Sequence, residues 1–399
     1  MDIQLSDRIN SIKPSPTLAV TAKAAELKAA GHDIIGLGAG EPDFPTPEHI
    51  REAGIQAIRE SFTHYTPVDG IIELKLAIIA KLQRDNKLQY KPEQILVSCG
   101  AKHSIFNLMQ ALLNPGDEVI IPAPYWVSYT DMTILTGAKP IIVSAGMEQR
   151  FKITPAQLEA AITTKTRLLI LNSPSNPTGV AYTPEELTAL GTVLLKHPNI
   201  VIMSDDIYEH ILWANFAFAN ILMACPDLYD RTVVVNGVSK SYAMTGWRIG
   251  YAAGPEKLIK AMMKMQSQST TNACSIAQKA AVAALNGEQS CITLMNIAFK
   301  DRHDFMYQEL NSIPGIECVD ADGAFYVFFK VTDLIAKLNS PEVSNDAQFA
   351  EYLIKEAGIA LVPGSAFGAP GFLRASTAIN IDVLREAVRR LRTLAEKIT

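Results

Sequence analysis

Seven short apolar runs between residues 94 and 254 leave this chain few folds to adopt. They read "QILVSC" (94–99), "DEVIIP" (117–122), "KPIIVS" (139–144), "RLLILN" (167–172), "NIVIMSD" (199–205), "TVVVNG" (232–237) and "RIGYAAG" (248–254). Most are apolar at successive positions, the pattern of strands covered on both faces. Segments of helical pattern separate them. Two open on "TPAQLEAAI" and "TPEELTALG", where Thr154 and Thr183 offer N-caps. Proline follows at the first helical position, and Gln157 or Glu186 stands three residues after the cap. This alternation predicts an α/β fold with a mainly parallel seven-stranded sheet between helices.

The two ends read differently. Residues 1–45 hold one helical pattern, "TLAVTAKAAELKAAGH", and the glycine-rich "GLGAGEPDF". No helix follows that glycine run at the spacing a dinucleotide loop needs. From about residue 295 come "FKDRHDFMYQELNSI", a β segment "GAFYVFFK", a helix "DAQFAEYLIKEAG" and "GFLRASTAI". The expected organisation is a large domain, 46–294, and a smaller α+β domain built from both termini, 1–45 and 295–399. A chain of 399 residues, 48% of them hydrophobic, can bury two such cores.

Composition excludes several functions. The net charge is −5 with no basic block, which argues against a nucleic-acid surface. No apolar run reaches the roughly 18–20 residues of a membrane span, and "MDIQLSDRIN" is too polar for a secretory signal. Cys99, Cys225, Cys274, Cys291 and Cys318 are scattered and form no CxxC pair, as expected of reduced thiols in the cytoplasm. The histidines show no HxxxH or HExxH spacing, so no metal site is expected.

Ligands of an open parallel sheet bind beyond the carboxyl ends of its strands. Gly100, Ala101 and Lys102 follow the first run, Trp126 follows the second, and Asn176 follows "RLLILN". Asp205, Asp206 and Tyr208 close "NIVIMSD", and Lys240 follows "TVVVNG". Each has an ordinary explanation alone: a cap for either aspartate, core packing for Trp126, a tight turn for "SCGAK", a snorkelling stem for Lys240. Together they suit an aromatic aldehyde that carries a phosphate and a ring nitrogen. A desolvated lysine can form a Schiff base with it, and a carboxylate can keep the ring nitrogen protonated. A phenol and an amide can bind the ring oxygen, and an indole can stack on the ring. Arg248 and a helix N-terminus can hold the phosphate. That ligand is pyridoxal phosphate.

On "KPSPT", "AGEPDF", "HYTPVDG", "SCGAK", "PYWVSY", "NSPSNPTG", "SDDIYE", "SKSYAMTGWRIGY" and "LRAS", the chain resembles the class I aminotransferases over nearly its whole length. It is most similar to their prokaryotic-type aspartate aminotransferase branch. The resemblance implies that Lys240 is the Schiff-base lysine and later carries the proton between substrate and cofactor. It makes Asp205 the pyridinium partner, with Asp206 where glutamate is more usual. Tyr208 and Asn176 resemble the partners of the ring oxygen, and Trp126 the stacking ring; Trp126 and Asn176 also meet the substrate. Gly100, Ala101 and Arg248 fall where the phosphate is held. Tyr65 resembles a tyrosine that reaches the neighbouring subunit's phosphate, which implies a homodimer with shared sites. Arg374 matches the arginine on the substrate α-carboxylate, and Gly40 the backbone that closes over the substrate.

For a dicarboxylic substrate a second cation must meet the distal carboxylate. No arginine lies between Arg248 and Arg302, so the resemblance points to Lys102, aided by Ser15 and Thr17. Lys13 matches a position that accompanies activity on prephenate in some relatives. The expected reaction is ping-pong transfer of the amino group of L-aspartate to 2-oxoglutarate. An aromatic or prephenate aminotransferase is the alternative, and a lyase, a decarboxylase or a non-catalytic sensor on the same fold stands further off. The chain departs from the family pattern at Ile72, Leu76 and Gly237, and at Ala375 and Thr377, which are expected to leave a smaller wall beside Arg374.

Overall fold

The computed structural model describes residues 3–398. The seven apolar runs become β1 (Ile95–Ser98), β2 (Glu118–Ala123), β3 (Lys139–Ser144), β4 (Thr166–Asn172), β5 (Val201–Asp205), β6 (Thr232–Gly237) and β7 (Gly250–Ala253). They form one sheet in the order β1-β7-β6-β5-β4-β2-β3. Strands β2 to β6 pair in parallel with one another and with β3. Only β7 runs against both its neighbours, β1 and β6.

Both faces of the sheet are covered over most of its width, which is why most of the runs are apolar at successive positions; only the edge strand β3 is partly exposed. Val97, Leu169, Leu171, Ile202 and Val234 point to one side, against helices Ile72–Asn86, Pro184–Leu195 and Ser275–Asn286. Their neighbours Leu96, Leu168, Ile170, Met203 and Val233 point to the other, against helices Ala101–Leu112, Ser128–Leu135 and Glu256–Ser267. Each such buried aliphatic side chain contributes about 1.5–3 kcal/mol. Thr154 and Thr183 cap their helices as the sequence suggests: each hydroxyl accepts from the backbone three residues on, and Gln157 and Glu186 return the bond. Among the described residues no helix is long and apolar enough to cross a membrane.

A second, smaller unit uses both ends of the chain. Glu317–Cys318, Tyr326–Lys330, Phe372–Ser376 and Val362–Pro363 form a four-stranded antiparallel sheet. Ile35–Gly36 pairs in parallel with Ile359–Ala360. The core here gathers Ile35 and Leu37 with Leu310, Phe329, Phe349 and Leu384. Helix Ser290–Asn311 starts before residue 295 and runs into that core. The "GLGAGEPDF" run begins on the last residue of the two-residue strand Ile35–Gly36 and continues as a loop, and the next helix begins only at Glu48.

The contact of β7 with the first helical turn after β1 tolerates no side chain. A Cβ at Gly250 would lie 2.1 Å from the Ala101 nitrogen. Gly250→Ala is therefore expected to cost about 3 kcal/mol, at the upper end of overpacking penalties, because backbone must move. Denaturant titration checks this, and a loss below about 0.5 kcal/mol would contradict it.

Candidate active site

Hydrogen-bond register decides what meets at the sheet's edge. Asn172 is opposite Asp205, and Asp205 is opposite Val235, so β4, β5 and β6 end nearly level. Because β7 is antiparallel, its start lies at the same edge, with Gly250 beside Ser98. Arg248, two residues earlier, is delivered there too. A cleft of about 390 Å³ opens at this edge. It is lined by Ala101, Lys102, Trp126, Asn176, Asp205, Tyr208, Lys240 and Arg248, with Ser15, Thr17 and Gly40 from the N-terminal segment and Arg374 from the small sheet.

Lys240 is half-buried, and its amine donates to the Gly40 carbonyl. Burial lowers its pKa to about 8; Glu41 and Asp205 oppose the shift, and Arg374 and Arg248 add to it. Asp205 is buried at the end of β5. The Tyr129 hydroxyl donates to its Oδ2 at 2.6 Å, and the Ile207 N–H to its Oδ1 at 3.3 Å. Burial pushes this carboxyl up to about 6, with partial relief from those two donors and from Lys240. Asp206 turns away from the cleft: it accepts from Ser204 and Asn220, each at 2.7 Å.

One end of the cleft suits an anion. Gly100 has φ +88° and precedes helix Ala101–Leu112, whose first N–H groups have no intrahelical acceptor. A Cβ at Gly100 would lie 2.2 Å from Arg248 Nη2. Lys102 stands over the Trp126 ring at 4.8 Å, and burial and the charge of Arg248 lower its pKa. At the other end Arg374 is 1% exposed. Its guanidinium donates to Asn176 Oδ1 at 2.9 Å and to the Gly38 carbonyl at 2.7 Å, and its Nε is buried without a partner. Tyr326 lies beneath it at 4.5 Å and shares a hydrogen bond of 2.8 Å with the Tyr208 hydroxyl.

Two proposed site residues stay outside. Lys13 is exposed and does not line the cleft, although its charge reaches Asp131. Tyr65 is 91% exposed. Ala375 and Thr377 do not form a wall beside Arg374: both are fully buried, and Ala375 faces the small core, because neighbours on a strand point to opposite faces. Gly237 is required by packing, since a Cβ there would meet the Ile249 carbonyl at 2.9 Å. Sequence reasoning gave no role to Tyr129, Tyr326 or Asn172. The first two sit inside the quoted motifs "PYWVSY" and "GAFYVFFK", where a tyrosine among apolar neighbours signals a hydroxyl that needs a buried partner.

The chain is similar to known proteins over nearly its whole length. The family described as aminotransferase class I and II matches residues 32–391. A relative from Nitrosomonas europaea, named aspartate/prephenate aminotransferase, is 57% identical over 98% of this chain and 100% of its own length. The crystal structure of the aspartate aminotransferase from Rhizobium meliloti superposes with a TM-score of 0.96 at 45% identity, covering 99% of each chain. That of Thermus thermophilus aspartate aminotransferase with maleate gives 0.92 at 40% identity, covering 98% of this chain and 100% of the other.

Since Asp205 titrates at about 6 in the folded chain and nearer 3.8 in a free chain, the folded state binds its proton more tightly. Stability is then lost as pH rises from about 4 through 6. Asp205→Asn should stabilise the ligand-free protein by roughly 2–3 kcal/mol at pH 7. That gain should vanish below pH about 4. Urea denaturation at both pH values checks this; a gain that ignores pH would contradict it.

Proposed function

Because this chain belongs to the aminotransferase class I and II family, we propose that it transfers the amino group of L-aspartate to 2-oxoglutarate, yielding oxaloacetate and L-glutamate, with pyridoxal 5'-phosphate as cofactor. Lys240 carries this conclusion: its amine, lowered to about 8, shares one cleft with a buried carboxylate and a buried arginine. The residues fit the cofactor. The first-turn N–H groups of Ala101 and Lys102, with Arg248, would hold its phosphate, and the space left by Gly100 supports this, because a Cβ would fill it. Asp205 would face the ring nitrogen, Trp126 the ring face, and Tyr208 and Asn176 the ring oxygen. Lys240 would be the point of covalent attachment. Bound there, the cofactor supplies an electron sink that makes the substrate's α-proton acidic.

The chain's own groups do the rest. Neutral Lys240 takes the α-proton of the donor in one half of the cycle and supplies the α-proton of the new amino acid in the other, and a pKa near 8 keeps part of the amine neutral at physiological pH. Tyr129 holds Asp205 by its Oδ2 and favours the charged carboxylate. Arg374 offers a planar fork to the α-carboxylate. Lys102, Ser15 and Thr17 would receive the distal carboxylate; the maleate in the Thermus thermophilus structure is a dicarboxylate of the same kind. The Gly38–Gly40 backbone and Tyr326 would exclude water above the substrate. Donor and acceptor use the cleft in turn, in ping-pong order.

The name of the Nitrosomonas europaea relative favours prephenate as a second acceptor, and Lys13 is the residue proposed to serve it. A homodimer with shared sites is supported by Tyr65 and by exposed Ile58, Ile72 and Leu76 on helices Glu48–Arg59 and Ile72–Asn86, at 57%, 53% and 52%. Five unpaired cysteines suit the reducing cytoplasm.

Lys240→Ala should lose the covalent Schiff-base linkage, seen as cofactor that no longer stays with the chain after borohydride reduction and denaturation, and lower activity about 10⁴-fold; a variant that keeps both would overturn the assignment. Lys102→Ala should raise KM for aspartate about tenfold and leave phenylalanine nearly unaffected, a difference of one lost charge contact. A donor panel with 2-oxoglutarate, then prephenate, reads this out, and equal losses on both donors would remove Lys102 from the distal site.

A further inference from the structure

One buried charged cluster has no part in the chemistry above. Glu209 follows Tyr208 on the segment that begins with Asp205, and it is buried outside the cleft lining. Its Oε1 accepts from Lys81 Nζ and, at 2.9 Å, from Asn236 Nδ2. Its Oε2 accepts from Asn86 Nδ2 at 2.9 Å. Lys81 also donates to Asn86 Oδ1 at 2.8 Å and lies 3.8 Å from Asp85. Asn236 in turn accepts the Gly237 N–H at 2.7 Å, four residues before Lys240. Asp85, Glu209 and His210 bring donor atoms within 4.8 Å of one another, and the Lys81 ammonium pairs with Glu209 beside Asp85. Asp206 is the other carboxylate that faces the cluster, and burial and the charge of Glu209 push it up to about 7.

A buried ion pair is a poor device for stability alone, because desolvating both charges offsets most of their attraction. An apolar pair of similar volume would hold helix Ile72–Asn86 to the sheet as well. It would not fix three backbone pieces at set distances through directed bonds. Here the three pieces are that helix, the segment bearing Asp205 and Tyr208, and the end of β6 that leads to Lys240.

We infer that Glu209 is a positioning residue: clamped by Lys81, Asn86 and Asn236, it sets the spacing between the segment bearing Asp205 and Tyr208 and the strand end leading to Lys240. This rests on the function proposed above for those three groups. The test uses full-length protein loaded with pyridoxal phosphate, as wild type, as Lys81→Met with Glu209→Gln, and as Asn236→Ala. The double variant removes both charges and leaves no unpaired ion. Both variants should keep Tm within about 5 °C of wild type. In both, kcat with aspartate should fall about 10²-fold while KM changes less than about threefold, the signature of misplaced groups. The pH midpoint of the bound cofactor's absorbance should also move by about one unit. Variants with the wild-type kcat and midpoint, whatever their Tm, overturn the inference. If the double variant does not fold, Asn236→Ala decides, since it leaves the ion pair intact. A wild type that takes up no pyridoxal phosphate defeats the proposed function and the inference with it; a loaded, active wild type matched by its variants defeats the inference only.

Discussion

Level strand ends are the constraint on which the site depends. Parallel register sets Asn172 beside Asp205, and the Asn172 amide donates to the Asp205 carbonyl at 2.9 Å. The Asn172 oxygen accepts the Asn176 N–H at 2.9 Å, and the Asn176 side chain accepts from Arg374. Arg374 then reaches the Gly38 carbonyl. One chain of hydrogen bonds thus runs from the middle of the large sheet, through the cleft, to both terminal segments. A slip of one residue between β4 and β5 would turn Asp205 to the opposite face and break it.

The groups so arranged are costly to bury. Asp205 and Lys240 are both held away from their ordinary protonation ranges, and Arg374 keeps an unpartnered Nε. None of this helps the chain fold. Stability comes from the two faces of the sheet, where apolar side chains alternate with no polar interruption until the strand ends. Sites built from strained or desolvated groups commonly sit on such surplus packing.

The same division explains what could be read from the sequence. The large sheet was legible because most of its strands are buried on both sides and two of its helices carry explicit caps at Thr154 and Thr183. Strands of two residues, such as Ile35–Gly36 and Val362–Pro363, carry no periodicity and emerge only in tertiary context. Residues that close or follow strands announced themselves by position, and seven of the nine so picked line one cleft. Facing was not legible: Asp205 and Asp206 are adjacent and chemically alike, yet only the first enters the cleft, and Ala375 is beside Arg374 but turns to the core. Tyr129 and Tyr326 were missed because their apolar surroundings signal a buried hydroxyl but not its partner, here Asp205 and Tyr208.

The central claim is that the Lys240 amine is where the cofactor is joined to this chain. Reductive trapping tests it most directly. The protein is mixed with pyridoxal phosphate, reduced with borohydride, digested, and mapped by peptide mass spectrometry. The account predicts one stoichiometric adduct, on the peptide that contains Lys240. An adduct confined to Lys102 or spread over surface lysines, with Lys240 unmodified, would contradict it.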